Sequence, residues 1–294
     1  MSRLLGHLRL TRPYAWLWFD LLPASVLLLL LDADLSVHAW LVFLVAIVLA
    51  DAGGSTLNDV CDVETDRASA EPSRRQRPVA SGLVSMPAAL VQAVALLVVA
   101  PLLLATHSPP AAAAMVGAIA VGVAYNVPPL RLAGRPRMSI LVWPLVGGLA
   151  YASAALLVGR WFTGPAAAYL VGVGVYYVGG EVLAKDLRDR ANDLAGGRRT
   201  AVASLGVRPA AILSAVGGSL GAAILAGLAL LAPGLADAGR VLALCALAAW
   251  ALVALPSARQ LAAAYDQPAA RRLHRTYIAG YLGFNAAMLV GLLT

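Results

Sequence analysis

Charge is what this chain of 294 residues has least of: 13% of it is Asp, Glu, Lys or Arg, against 61% apolar residues. A soluble domain carries about a quarter charged residues and under half apolar ones, so the polar surface needed to solvate a globule is missing. Lysine is all but absent, with Lys185 alone among 22 basic residues. Cys61 and Cys245 are the two cysteines, too few for a disulfide framework or a thiolate metal centre, and both are expected to pack. His7, His38, His107 and His274 lack the spacing of a histidine metal site. Aromatic residues make up 6%, and Tyr14, Trp16 and Trp18 at the start of the first apolar run are expected to form an interfacial belt. That run carries no small-residue cleavage site, so it is expected to be a first span, not a cleaved signal.

What the chain does have is long apolar runs, at 16–31, 39–57, 87–105, 111–125, 139–158, 165–184, 210–231, 240–255 and 277–293. Nine spans are expected. None alternates in polarity as a barrel strand would, and only helices otherwise satisfy their own backbone hydrogen bonds in lipid. The fold class is therefore an all-α integral membrane protein, one domain over 1–294, with nine transmembrane helices around a central cavity. Frequent Gly and Ala within the runs allow close helix packing.

The basic residues test this count. With the N-terminus inside, every Lys and Arg except Arg160 and Arg240 falls at the N-terminus or after an even-numbered span, as short cytoplasmic loops require. A wrong helix count would scramble that pattern. The net charge of +7 is thus explained by membrane orientation, and nucleic acid is not an expected partner. A bacterial cytoplasmic membrane is the expected location.

Carboxylates are equally lopsided. Asn58, Asp59, Asp62 and Asp66 end the second span, and Asp186, Asp189 and Asp193 end the sixth. Four spans separate the clusters, so the chain reads as two four-helix pseudo-repeats plus a ninth helix, each half opening on an Arg-Pro pair, Arg12-Pro13 and Arg135-Pro136. An axis along the membrane normal would bring both acidic ends to one cavity. Asn58, Asp62 and Asp66 at i, i+4, i+8, and Asp186, Asp189 and Asp193 at i, i+3, i+7, each line one helix face. Like charges stacked this way need a cation, and oxygen ligands without thiolate or imidazole favour Mg²⁺. Solvated helix caps would explain one such cluster and explain two badly. Phosphate oxygens are the usual completion of such a Mg²⁺ shell, with Arg67, Arg77, Arg131, Lys185, Arg198 and Arg199 to neutralise the remainder. A diphosphate so held leaves readily, and an apolar pocket shields the allylic cation from water. Asp20 and Asp51, within or near apolar spans, are expected to face a polar cavity or to bridge helices.

The stretch Asn58-Asp59-Val60-Cys61-Asp62-Val63-Glu64-Thr65-Asp66, with Arg77-Pro78-Val79-Ala80-Ser81-Gly82 behind it, resembles the first aspartate motif of the UbiA superfamily of intramembrane prenyltransferases. Asp186 to Asp193, followed by Gly196-Gly197-Arg198-Arg199-Thr200, resembles the second, and Tyr125-Asn126-Val127-Pro128-Pro129-Leu130-Arg131 resembles the loop after the fourth helix. The resemblance covers the whole chain. It implies a cavity open sideways to the bilayer, with Asn58, Asp62, Asp66, Asp189 and Asp193 as Mg²⁺ ligands. It further implies Asp62, Asp66, Asp189 and Asp193 as catalytic groups and Asn58, Asp59, Arg67, Arg77, Tyr125, Arg131, Lys185, Asp186 and Arg198 as substrate-binding ones. Arg131 stands where many members carry Lys.

The function expected is Mg²⁺-dependent transfer of an isoprenyl or polyprenyl group from its diphosphate to a lipid-soluble acceptor, an aromatic one first. An intramembrane terpene cyclase needs the same ionisation and is the alternative. Phosphoribosyl transfer to polyprenyl phosphate, suggested by Arg74, Arg75 and Arg77, ranks lower, as does a non-catalytic lipid-binding or transport role. The partners are an isoprenyl diphosphate, the acceptor and membrane lipids.

Nine spans with basic loops on one side predict a cytoplasmic N-terminus and Thr294 on the opposite face. Tag-accessibility mapping checks this, and two ends on one face would contradict it.

Overall fold

The computed structural model describes residues 2–69, 71–135, 138–162, 164–195 and 200–294, and they are helical with no strand among them. The labelled helices are α1 (Arg3–Leu10), α2 (Leu22–Leu31), α3 (Val37–Cys61), α4 (Val63–Ala68), α5 (Met86–Ala105), α6 (Pro109–Asn126), α7 (Met138–Val158), α8 (Gly164–Gly174), α9 (Val182–Ala195), α10 (Val207–Leu231), α11 (Asp237–Ala263) and α12 (Gln267–Leu293). Two stretches are wound wider, as π-helix: Trp16–Leu21 leading into α2, and Val175–Glu181 joining α8 to α9. Eight described helices are long and apolar enough to cross a membrane, and a ninth span forms if the segments Arg3–Ala15 and Phe19–Leu31, bent by 51°, count as one.

Capping residues set several boundaries that apolarity does not show. Ser36, Ser85 and Ser108 each accept a hydrogen bond from the backbone N–H three residues on, which starts α3, α5 and α6. Asp266 does the same for Ala269 at 2.9 Å, with Pro268 in the first turn. The last helix therefore begins ten residues before the apolar run at 277, and takes in Arg271, Arg272, His274 and Arg275. A helix needs its first turn capped; it does not need that turn to be apolar.

Helices α3, α5, α6 and α7 pack in succession, and so do α8 through α12. The first span closes the arrangement by packing α2 against both α7 and α12. Tyr169 links these parts: its hydroxyl donates to the backbone oxygen of Pro23 at 3.3 Å and is hydrogen-bonded to the Asn285 amide oxygen. A second, smaller apolar cluster of Leu10, Val60, Val63, Val79 and Val84 ties α1 and the 78–84 turn to the end of α3. It anchors the first acidic motif from one side and leaves its carboxylates the other. Cys61 is half-buried, but Cys245 is exposed on α11 and does not pack. An apolar run says that a helix is in lipid and not which face meets its neighbours.

The span carrying the second motif lies backbone to backbone on α10. A Cβ placed on Gly217 would stand 2.5 Å from the backbone carbon of Gly179, with no flexible side chain to give way. Gly217→Ala is expected to cost roughly 1–3 kcal/mol, read as a lowered thermal midpoint in detergent. Gly227→Ala on the same helix, where a Cβ meets nothing within 4 Å, should leave the midpoint unchanged or raise it slightly.

Candidate functional site

α3 ends at Cys61, but the chain continues almost in line. Asp62 N–H donates to Asn58 O at 2.9 Å and Asp66 N–H to Asp62 O at 2.8 Å, so the i, i+4 stack survives the break. Asp59, Asp62 and Asp66 are buried, and so are Asp186, Asp189 and Asp193 on α9. Carboxylates out of water need cationic partners, and here arginines supply them. Arg12 Nη2 is 2.6 Å from Asp59, and Arg77 Nη1 is 3.3 Å from Asp59 and 2.9 Å from Asp66. Arg131 Nη2 lies 3.8 Å from Asp62, and Lys185 Nζ 3.7 Å from Asp186. Arg188 grips Asp189 with two bonds of 2.6 Å, the bidentate geometry that makes such pairs strong.

The two motifs meet across the turn Pro72–Arg75. Arg74 reaches Asp66 at 3.9 Å with one nitrogen and Asp189 at 3.7 Å with another, and also pairs with Glu71 at 3.4 Å. Asn192 Nδ2 donates to Glu71 Oε2 at 2.8 Å. Carboxylates from the second and sixth spans thus share one site, as a common axis requires. Asn58 joins from within, donating to Asn126 at 2.9 Å and to Asp62 at 3.4 Å.

Two arginines hold their places in left-handed backbone: Arg12 at φ 49° and Arg131 at φ 33°. Such a conformation costs a non-glycine residue roughly 1–2 kcal/mol. Both guanidinium groups are directed to the first motif, so the strain accompanies electrostatic contacts at this site.

The donor set fits a hard divalent cation. It is all oxygen, and one oxygen of Asp66 and one of Asp186 are buried without a hydrogen-bond partner, acceptors of the kind that Mg²⁺ takes as ligands. Burial pushes the Asp66 carboxyl above the ordinary carboxylate range, against the opposing pull of Arg77. Among the described residues no three His, Cys, Asp or Glu side chains are already gathered as a metal site; at Asp66 and Asp189, arginines stand against the carboxylates.

Most of the residues expected from sequence come together here: Asn58, Asp59, Asp62, Asp66, Arg77, Arg131, Lys185, Asp186 and Asp189. Asp193 is buried on the same helix. Arg67 stands apart from this group. It is half exposed, pairs with the exposed Glu64 at 3.2 Å and donates to Ala80 O at 3.2 Å. One residue past Asp66 on α4, it lies about 100° around the helix. Tyr125 stands against Trp143 with ring centroids 5.6 Å apart. Arg198 and Arg199 lie outside the described residues. Asp20, in the first π segment, is buried with one oxygen lacking a hydrogen-bond partner. Arg12, Glu71, Asn126, Arg188 and Asn192 are not among the site residues expected from sequence, and Arg74 entered with the phosphoribosyl alternative. Asn126, Arg188 and Asn192 lie within the motif stretches themselves, and Arg12 in the Arg12-Pro13 pair, where proline disfavours a helical residue before it.

The UbiA prenyltransferase family model matches residues 21–281. A digeranylgeranylglyceryl phosphate synthase of Methanothrix thermoacetophila is 29% identical over 185 residues, which span 62% of this chain and 64% of that relative. The fold is similar to that of a UbiA homologue from Archaeoglobus fulgidus solved with GPP and Mg²⁺, at a TM-score of 0.70 and 20% identity, covering 97% of this chain and 99% of that one. It is also similar to a structure described as giving insights into digeranylgeranylglyceryl phosphate synthase in membranes, at a TM-score of 0.72 and 15% identity, over 100% and 99% of the two chains. The chain belongs to the UbiA prenyltransferase family and is an integral membrane protein.

Arg74 joins the two motifs, whereas Arg67 joins only its own helix to a nearby turn. Arg74→Ala should remove about 1 kcal/mol of local stability, raising amide hydrogen exchange over residues 71–77 about fivefold. Arg67→Ala should leave that exchange unchanged.

Proposed function

We propose that this protein transfers an isoprenyl or polyprenyl group from its diphosphate to a lipid-soluble acceptor in a Mg²⁺-dependent reaction, with the whole of 1–294 acting as one domain. The observation that supports it is the meeting of two buried carboxylate motifs, from opposite halves of the bundle, inside a set of arginines. Such a site is built for a polyanion accompanied by cations.

Asn58, Asp62, Asp66, Asp189 and Asp193 are the groups to hold Mg²⁺, with Asp59 and Asp186 beside them. Mg²⁺ supplies positive charge to the diphosphate oxygens as negative charge builds there. Arg77, Arg131 and Lys185 add fixed cations, which act strongly because the site is largely out of water. Arg74 pairs with Asp66 and Asp189 only at 3.9 and 3.7 Å, contacts loose enough to turn toward an incoming phosphate. The apolar interior below holds the isoprenoid chain and keeps water from the allylic carbon. The cytoplasmic face is the natural side for the site, since the basic loops collect there.

An aromatic acceptor is the first expectation. The likeness to a digeranylgeranylglyceryl phosphate synthase supports a second reading, in which the acceptor is a prenylated glycerol phosphate. Supplying each in turn with a labelled isoprenyl diphosphate separates them by the mass of the adduct.

Asp62→Ala and Asp189→Ala are each expected to lower turnover about a thousandfold, a loss of roughly 4 kcal/mol of transition-state stabilisation, while the protein remains inserted. Chelation should abolish activity and Mg²⁺ restore it. Full activity in either variant, or after chelation, rejects the mechanism.

A further inference from the structure

The last helix, α12, lies outside both four-helix halves, yet its polar start is seated on the second aspartate motif. The Tyr265 hydroxyl donates to Leu187 O at 3.3 Å, and Gln267 Nε2 donates to Arg188 O at 2.8 Å. Arg190 stands over the Tyr265 ring, 5.2 Å from its centroid. Two turns further along α12, His274 meets the Arg188 guanidinium. These residues come before the apolar run at 277, so crossing the bilayer does not require them. Their contacts converge on the two residues that precede Asp189.

His274 carries the contact deeper. Its Nε2 is 2.9 Å from Glu181 Oε1, and Arg188 Nη1 lies 3.1 Å from its Nδ1 and 3.3 Å from Nε2. A guanidinium can only donate, so Nδ1 accepts from Arg188 and Nε2–H is left to donate to Glu181. Glu181 and Arg188 are seven residues apart, which puts them on one helix face about 10 Å from each other along its axis. The buried imidazole from α12 fills that gap. The cavity beside Glu181, walled mainly by Phe19, Tyr176, Tyr177, Tyr277 and Tyr281, holds about 10 Å³, room for no more than one water. A carboxylate with no seat for a substrate beside it acts through its neighbours. At the other end of the chain of contacts, Arg188 grips both oxygens of Asp189, taking one lone pair of each and leaving the others for a cation.

We propose that His274, oriented by Glu181, is a positioning residue for the second aspartate motif: it fixes the Arg188 guanidinium, and through it turns Asp189 toward the divalent cation that accompanies the diphosphate. This assignment rests on the Mg²⁺-dependent prenyl-transfer reading. Arg188 and Asp189 are neighbours in sequence, and a pair of adjacent side chains bonded to each other still swings together among several rotamers. A third contact, at Nη1, removes that freedom and sets the direction of the carboxylate. Groups one step behind a metal ligand, lost singly, typically lower metal affinity about 10–100-fold. The last helix thereby joins the site without placing a side chain in it.

The test uses the full chain in detergent, with Mn²⁺ as the probe and a non-ionising thiolo-diphosphate analogue of GPP present. Free Mn²⁺ is followed by electron paramagnetic resonance, so no turnover is needed. His274→Phe fills the space and keeps neither polar contact, and should weaken Mn²⁺ binding about 10–100-fold. His274→Gln should stay within threefold of the wild type, because its amide offers an acceptor to Arg188 and a donor to Glu181. In an Arg188→Gln background, His274→Phe should cost less than a further twofold, since the route runs through Arg188. Glu181→Leu releases the far end of the same chain of contacts and should weaken binding at least fivefold; it carries the test if His274→Phe fails to insert. Mn²⁺ binding within twofold of the wild type by either apolar variant overturns the proposal. So does a His274→Gln variant as weak as His274→Phe, which would give the ring a packing role alone, or an undiminished cost in the Arg188→Gln background. A wild-type protein that binds no Mn²⁺ with the analogue overturns the metal-dependent reading itself, and this assignment with it.

Discussion

Six aspartates buried at one end of a membrane bundle could not stay charged unaided, and the way their charge is balanced governs the rest of the structure. Moving an isolated carboxylate out of water costs several kcal/mol even after the surroundings relax. Arg12, Arg74, Arg77, Arg131, Lys185 and Arg188 meet that cost. They come from the N-terminal segment, the turn after α4, the loop after α6, and α9. Closing the acidic end therefore draws the N-terminal segment and these loops onto the motifs, alongside the apolar cluster of Leu10, Val60, Val63, Val79 and Val84, at the expense of left-handed backbone at Arg12 and Arg131.

The same arrangement bears on the chemistry. Guanidinium groups meet most of the carboxylates, and one oxygen each of Asp66 and Asp186 is left without a hydrogen bond. Arg74 makes the loosest of the contacts that join the motifs, whereas Arg188 is locked in two short bonds to Asp189. A cation that can turn between carboxylate and phosphate suits substrate entry; one that cannot suits the framework. Arg188 has the second role, and through His274 it extends the framework to Glu181.

The interior below follows from helix packing. Gly179 and Gly217 let α10 come close to the π-wound part of the sixth span, where Tyr176, Tyr177 and Glu181 lie. A π segment shifts the side chains that follow it around the helix relative to an α-helix, and two such segments, at 16–21 and 175–181, contribute walls to one aromatic cavity. Backbone irregularity in a membrane is tolerated where protein or a cavity surrounds it.

Apolar run length showed the all-helical membrane fold, because lipid leaves a spanning backbone no cheaper way to satisfy its hydrogen bonds. Basic-loop asymmetry gave the expected orientation, and two aspartate motifs at helical spacing named most of the candidate site, since like charges so stacked call for a cation. Their resemblance to family motifs was legible in the same stretches. The helix starts hidden in capping residues, the exposed position of Cys245 and the outward placement of Arg67 were not, because each depends on which face of a helix meets which neighbour. Only the tertiary structure decided which arginine answers which aspartate, and that Glu181, His274 and Arg188, spread over 93 residues, form one chain of contacts. Sequence spacing carries the period of a helix and the polarity of its ends; it carries no record of two helices meeting until they pack.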